Sequence, residues 1–151
     1  MSERHRFDVR VYYEDTDAAG IVYHANYLKF AERARTEMLR ALGLDQETLA
    51  RCCGVRFVVR RCRAEFLAPA RLDDRLTVET AIRRIRGARM WLQHEVWAAG
   101  RHVAELEVEI VAIDANMRPV RMARVPILAP LAAAAGDAAE VRRGEDPEWI
   151  R

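Results

Sequence analysis

Apolar and polar positions divide the chain into one segment with a helical period and several with a strand period. Between residues 26 and 42, apolar side chains recur at three- and four-residue spacing, and charged side chains fill the other positions. The apolar set comprises Tyr27, Phe30, Ala31, Ala34, Met38, Ala41 and Leu42. This period is typical of an amphipathic helix with one buried stripe, and Gly43 favours a stop directly after it.

Apolar and polar residues alternate with a period of two before this helix, at residues 7–13. After it, residues 44–53 form a second short helix or an irregular connection. Alternation then runs from residue 55 to about residue 125. Turn-forming segments at 69–74, 86–88, 99–101 and 114–119 interrupt it. The pattern therefore predicts one strand, one long helix, and then four or five strands joined mostly by tight turns.

Tight turns favour an antiparallel sheet, because parallel strands need crossovers of a dozen residues or more. A single helix also cannot cover both faces of a parallel sheet. We therefore expect an α+β fold in which an antiparallel five- or six-stranded sheet wraps around one long central helix. Such a sheet leaves edges and part of one face uncovered, which predicts a homodimer at least.

Length and composition indicate one folded domain. We expect this domain to span residues 1–130, followed by a tail at 131–151 that is Ala-rich, then charged, and partly disordered. The first ten residues lack the apolar core of a secretory signal. The longest apolar tract, 125–135, contains two prolines and is shorter than the ~18 apolar residues of a membrane span, so we expect no membrane insertion. A net charge of +2 gives no case for nucleic acid.

Several kinds of catalytic site are excluded or disfavoured by residue counts. Ser2 is the only serine, which excludes a Ser-His-Asp triad within the folded domain. Cys52, Cys53 and Cys62 lack metal-ligand spacing, and we expect them to be reduced and structural, with Cys62 in the core, in a cytoplasmic protein. The four histidines are scattered, so no metal site is predicted.

Carboxylates remain, at the junction where an acidic loop meets the long helix. Asp15 and Asp17 are followed by small residues up to Gly20, and the helical period begins at Asn26. The first N–H groups of a helix have no internal partner and the dipole there is positive, so they stabilise a developing oxyanion. A carboxylate just upstream can attack a carbonyl carbon or activate water. The pattern favours hydrolysis of an acyl compound, although a D-x-D pair is also found as solvated or helix-capping acids.

The same residues carry a family resemblance. The run D-x-D-x-x-G-I-V-Y-H-A-N-Y-x-x-F at 15–30, then E-R-A-R-T-E-M-L, F-V-V-R at 57–60 and A-P-A-R-L-D-D at 68–74, resembles hotdog-fold acyl-CoA thioesterases. The likeness is greatest to the Tol-Pal-associated branch, which is related to 4-hydroxybenzoyl-CoA thioesterase. It implies a hotdog fold, hydrolysis of acyl-CoA or acyl-carrier-protein thioesters without metal or organic cofactor, a homodimer or homotetramer, and contact with lipid-synthesis enzymes.

The resemblance also implies roles for single residues. Asp17 matches the catalytic carboxylate, as nucleophile or as general base, and the backbone amide of Tyr23 or His24, better matched to His24, donates to the oxyanion. We expect the His24 imidazole to be neutral at a helix N-terminus, where it orients Asp17 or contacts the thioester, or is a polar filler. Gly20 supplies backbone freedom or room for substrate. Asn26 caps the helix or bonds to Asp17, and the cap is favoured.

The basic residues near the predicted hairpin have two interpretations. The resemblance implies that basic residues of this hairpin bind coenzyme A phosphates, and Arg86 is the best positional match, since a guanidinium suits that anion. The alternative is a set of solvated strand residues. Two other functions stay open for the whole chain: a non-catalytic acyl-CoA or acyl-carrier-protein binding module or scaffold in a lipid-synthesis complex, and a 3-hydroxyacyl dehydratase using His24 and Asp17.

Overall fold

Five antiparallel strands and one long helix account for most of the fold. The computed structural model describes residues 4–139, and the side chains of residues 4–135. The strands are β1 (His5–Arg10), β2 (Arg56–Phe66), β3 (Arg75–Arg86), β4 (Arg89–Ala98) and β5 (Arg101–Ile113). The helices are α1 (Asn26–Ala41), α2 (Gln46–Cys53) and α3 (Ala129–Ala139). Across residues 4–139, no helix combines the length and the apolar character that crossing a membrane requires.

The strands form one sheet in the order β1-β3-β4-β5-β2, so β1 and β2 are its edges. Every neighbouring pair is antiparallel, which confirms the α+β class and the antiparallel sheet. Helix α1 packs against one face, where alternate strand positions such as Leu76, Leu92 and Leu106 are fully buried. The core has two parts, one around Tyr27 and Phe30 and one around Met38 and Leu39.

The sheet has five strands, and the prediction of a short final strand that ends near residue 125 is wrong. Two 3-10 helices, Met122–Arg124 and Pro126–Leu128, occupy that segment. Pro119 makes only an isolated bridge to Ile113. Proline has no N–H to donate to a sheet, so a segment containing Pro119 and Pro126 does not continue the ladder.

Helix α3 begins before the domain boundary that the sequence predicts at residue 130. Leu131 is fully buried and Ala135 is 6% exposed, and both pack with Leu128 against the part of the core around Met38 and Leu39. Residues 128, 131 and 135 share one helical face, so the Ala-rich segment does have a side to bury. The described part of the tail therefore packs as far as residue 135, and the predicted disorder concerns residues 140–151, which lie outside the described chain.

One of the cysteines differs from the sequence-based expectation. Cys62 is exposed, although its β5 partner Val108 is buried, because β2 is an edge strand and α1 leaves this position uncovered. Its predicted place in the core is wrong. The sulfur atoms of Cys52 and Cys53, adjacent residues at the end of α2, lie in contact, and the reduced state of the thiols stays a sequence-based prediction.

Candidate active site

A tight turn places Asp17 ahead of helix α1. Thr16 bridges to Val22, the Asp17 N–H donates to the Ile21 carbonyl oxygen over 3.0 Å, and the Gly20 N–H donates to the Asp17 carbonyl oxygen over 2.9 Å. Gly20 has φ +80°, a left-handed conformation that glycine adopts without strain, which is one of the two roles expected for it. The Asp17 Oδ1 atom accepts from the Ala19 N–H over 2.9 Å, and the side chain is exposed in the single chain.

The loop is tied to the start of the helix through Asp15. Its carbonyl oxygen accepts hydrogen bonds from the Tyr23 N–H and from the Asn26 Nδ2 atom, each over 2.9 Å. Its side chain accepts from the Tyr12 N–H over 2.8 Å, so Asp15 holds both ends of the loop. The predicted capping role of Asn26 is wrong: Ala25 is the N-cap without a side-chain cap bond, and Asn26 is the first helical residue. Its amide donates backward to the loop because the Asp15 carbonyl is the acceptor within reach.

Two backbone donors remain unpaired where the loop enters the helix. The Tyr23 N–H is bound to Asp15 and the Asn26 N–H donates to the Tyr23 carbonyl oxygen over 2.9 Å. Between them, the N–H groups of His24 and Ala25 meet no acceptor among residues 4–139. Free N–H groups at a helix start stabilise a bound anion. They lie in the region where the sequence predicts the oxyanion donor, and Tyr23 is excluded as that donor in this conformation.

An exposed aromatic surface surrounds the junction. Phe66, at the end of β2, has its ring centroid 5.8 Å from the His24 ring and 5.7 Å from the Tyr27 ring. Tyr27 is a core residue, whereas Tyr23 is 45% exposed and Phe66 49% exposed. His24 is exposed, and its side chain makes no hydrogen bond to Asp17 within the described chain. The junction therefore brings Asp17, Gly20, Tyr23, His24 and Asn26 together beside the β2 edge.

Arg86 lies at the other end of the sheet. It is the exposed last residue of β3, whereas Arg75, the first residue of that strand, lies on the side of the acidic loop, since the Val11 N–H donates to the Asp74 carbonyl oxygen. At ~3.3 Å per residue, the eleven residue-to-residue steps from Arg75 to Arg86 span roughly 36 Å. A single chain therefore does not bring Arg86 to Asp17.

Several of the other arginines surround a buried carboxylate that the sequence analysis missed. Glu109 is 2% exposed, and its carboxylate lies 3.2 Å from Arg60, 3.8 Å from Arg61 and 3.1 Å from Arg89. Arg89 also lies over the Trp91 ring at 5.3 Å. These side chains are partly exposed strand residues held by one anion. No sequence signal marks Glu109, because it alternates with apolar residues just as the half-buried Glu105 and Glu107 do.

Comparison with known proteins gives a consistent family assignment. The family model described as the thioesterase-like superfamily matches residues 11–141. An acyl-CoA thioester hydrolase, YbgC, of Escherichia coli is 49% identical over 116 residues, covering 76% of this chain and 86% of the relative. The acyl-CoA thioesterase YbgC of Haemophilus influenzae is 43% identical over 115 residues, covering 76% and 85%. A probable thioesterase from Bartonella henselae superposes with a TM-score of 0.74 at 39% identity, covering 78% of this chain and 98% of its own.

Proposed function

This chain belongs to the thioesterase-like superfamily, and we propose that it hydrolyses the thioester of acyl-CoA to a free acid and a thiol. One local observation carries the proposal beyond family membership. The Asp17 turn is hydrogen-bonded into place directly ahead of the unpaired N–H groups of His24 and Ala25. A carboxylate and free main-chain donors at one junction are the two parts that acyl transfer to water requires.

Asp17 has two chemically complete roles in this reaction. As nucleophile, its carboxylate forms a bond to the acyl carbon, the thiolate leaves, and water then cleaves the mixed anhydride. As general base, it takes a proton from the water that attacks the same carbon, and the thiol leaves with a proton. In either case the carbonyl oxygen gains negative charge, and the His24 N–H donates to it. The His24 ring, Tyr23 and the backbone at Gly20 border the bound thioester.

The assembly that we propose is a homodimer formed through the β2 edge. Within residues 4–139 this edge pairs with β5 alone, and Val59, Phe66 and Leu67 at or just beyond it are each about half exposed. Unpaired strand edges with apolar side chains tend to pair with another chain. When two β2 strands pair in antiparallel orientation, the Phe66 end of one strand lies beside the Arg56 end of the other. The hairpin end that carries Arg86 then lies on the same side as the Asp17 junction of the other copy, where it can bind coenzyme A phosphates.

Free-thiol release from a panel of acyl-CoA substrates tests the proposal. Replacing Asp17 with Asn removes the nucleophile or base but keeps an oxygen that accepts from the Ala19 N–H, so turnover should fall by at least ~100-fold with the fold and dimer intact. Glu47→Gln is the matched control, since it changes an exposed carboxylate on α2, beyond the far end of α1 from the junction, and should keep wild-type turnover. Wild-type turnover in Asp17→Asn would contradict the role of Asp17.

A second measurement tests the assembly. The mass in solution, determined by light scattering, should equal two or four chains for the wild-type protein and fall towards one chain in Val58→Glu, which adds charge to the β2 edge. Ile127→Glu adds the same charge at another exposed apolar position and should keep the wild-type mass. Acyl carrier protein as a second carrier and a cytoplasmic location stay sequence-based predictions, and acyl-carrier-protein thioesters belong in the same panel of substrates.

A further inference from the structure

A second cleft lies away from the Asp17 junction, between the C-terminal half of α1 and the sheet. Its volume is about 250 Å³, and its apolar walls include Met38 from the helix and Phe57, Met90 and Ile110 from the strands. Two polar residues, Glu32 and Gln46, line it as well. Arg35 also lines this cleft. Arg35 is nine residues beyond the first residue of α1, which at 1.5 Å per residue is roughly 14 Å along the helix. The cleft is therefore separate from the oxyanion donors of the same chain.

Arg35 is held in place by a buried hydrogen-bond chain. Its Nη1 atom lies 3.2 Å from His94 Nε2, and His94 Nδ1 lies 2.9 Å from Thr80 Oγ1. A guanidinium only donates, so Nε2 is the acceptor and the ring proton is on Nδ1, which donates to Thr80. Burial, with a smaller contribution from the Arg35 charge, lowers the pKa of His94 well below its ordinary value. His94 is therefore neutral and does not repel Arg35.

The Arg35 charge has no anion in contact with it. The side chain is 9% exposed, yet no carboxylate of the described residues forms an ion pair with it. Glu32, one turn earlier, also lines the cleft, but its side chain is exposed and it interacts with Arg35 only at longer range. Buried charges are ordinarily paired, because leaving them alone is costly. His94 occupies one guanidinium nitrogen, and the remaining donors of a planar fork match the two oxygens of a carboxylate.

We propose that this cleft binds a carboxylate at the end of a short alkyl chain, with Arg35 paired to the carboxylate and the apolar walls around the chain. At roughly 30 Å³ for each water-sized group, the cleft holds about eight heavy atoms, the size of hexanoate. The carboxylate has two chemical sources. One is a free fatty acid, and the other is the distal carboxyl group of a dicarboxylic acyl thioester, a source that rests on the proposed function.

Titration of the full chain with hexanoate, followed by the NMR signal of the Arg35 Nε–H group, tests the site. Hexanoate should shift this signal, and hexan-1-ol, which has the same chain without the charge, should bind at least tenfold more weakly. Hexanoate should bind Arg35→Met at least tenfold more weakly than wild type, as judged by backbone signals around Met38. Arg40→Met is the matched control, because Arg40 is exposed on the same helix and pairs with Glu37; its affinity should be that of wild type.

Absence of hexanoate binding to the wild-type protein, or equal affinity for hexanoate and hexan-1-ol, would overturn the proposal. Neither comparison needs a variant, so misfolding of Arg35→Met does not affect them. Wild-type affinity in Arg35→Met would also overturn it.

A kinetic comparison separates the two sources. For the wild-type protein and Arg35→Met, kcat/KM is measured with adipoyl-CoA and hexanoyl-CoA, which differ in the distal carboxyl group. If the ratio of kcat/KM for adipoyl-CoA to kcat/KM for hexanoyl-CoA is at least tenfold lower in Arg35→Met than in wild type, the site binds the acyl group of the substrate. An unchanged ratio, with weaker inhibition by hexanoate, assigns it to the free acid. If no thioester releases thiol while hexanoate still binds, the thioesterase proposal fails and the carboxylate site stands.

Discussion

The side-chain amide of Asn26 donates to the carbonyl oxygen of Asp15 over 2.9 Å, so the first residue of helix α1 holds the acidic loop that precedes it. The Tyr23 N–H shares this acceptor, also over 2.9 Å. Two donors on one carbonyl oxygen fix the direction in which the chain leaves Asp15. Because Asp17 follows only two residues later, the position of its carboxylate relative to the helix start depends on this contact.

Asn26→Ala should lower activity more than stability. The Asp15 carbonyl oxygen keeps the Tyr23 N–H, so the loss of one buried hydrogen bond should reduce the free energy of unfolding by about 0.5–1.5 kcal/mol. Asn26→Asp should lower activity and stability further than Asn26→Ala, because its carboxylate cannot donate and faces the Asp15 carbonyl oxygen. Urea unfolding and thiol release measure the two effects. Asn116→Ala, in an exposed turn, is the control, and full activity in Asn26→Asp would show that the contact does not position Asp17.

Leu131→Ala should destabilise the protein substantially, because Leu131 is fully buried although it lies in the Ala-rich tail. Truncation of a buried leucine ordinarily costs about 2–5 kcal/mol of unfolding free energy. Ala133→Ser on the exposed side of α3 is the control and should stay within ~0.5 kcal/mol of wild type. Urea unfolding measures both. A small effect for Leu131→Ala would mean that α3 does not pack on the core in solution.

The sequence predicts the features of this fold that depend on local spacing. The helical period at residues 26–42 corresponds to α1, and the turn signal at 86–88 corresponds to the hairpin between β3 and β4. The left-handed conformation of Gly20 agrees with one of the two roles expected for it, backbone freedom, and leaves the other, room for substrate, a prediction. In each case the residues that determine the structure are neighbours in the chain, so their pattern is visible without knowledge of the fold.

Features that depend on strand order were not predictable in the same way. Cys62 alternates like a core residue, and only the position of β2 at the sheet edge leaves it exposed. Glu109 lies opposite Arg61 because β2 pairs with β5 in one register. Arg35 and His94 are 59 residues apart and meet only once α1 packs on β4. For the candidate site, the segment was found from sequence, whereas the Asn26–Asp15 contact needed coordinates.

Glu109→Gln should destabilise the protein moderately. Removing the charge leaves Arg60, Arg61 and Arg89 close together without their shared anion. The three arginines are about half exposed and are partly hydrated, so the cost should be near 1–3 kcal/mol, below that of breaking a fully buried pair. Glu65→Gln, which changes an exposed glutamate on the edge strand β2, is the comparison. Urea unfolding at low and high salt measures the effect, and equal stability of both variants would contradict a structural role for Glu109.

The buried His94 should make stability depend on pH below about 6.5. Burial lowers its pKa well below the ordinary value of 6.5, so the ring stays neutral in the folded protein, between Arg35 and Thr80. In the unfolded chain it takes up a proton below about pH 6.5. The unfolded state then binds more protons than the folded state, and the free energy of unfolding falls as the pH falls, by up to ~1.4 kcal/mol per pH unit. Above pH 6.5 this contribution is constant.

His94→Gln removes this titration and keeps a side chain that can accept from Arg35. Between pH 6.5 and 5, the free energy of unfolding of His94→Gln should therefore fall less per pH unit than that of wild type, whatever the stability of the variant at neutral pH. Burial also lowers the pKa of His5, but His5 is present in both proteins, so the difference in slope belongs to His94. Urea unfolding at half-unit pH steps measures the two slopes. Equal slopes for wild type and His94→Gln would mean that His94 is protonated in the folded protein. The assignment of a neutral His94 ring that accepts from Arg35 would then be wrong.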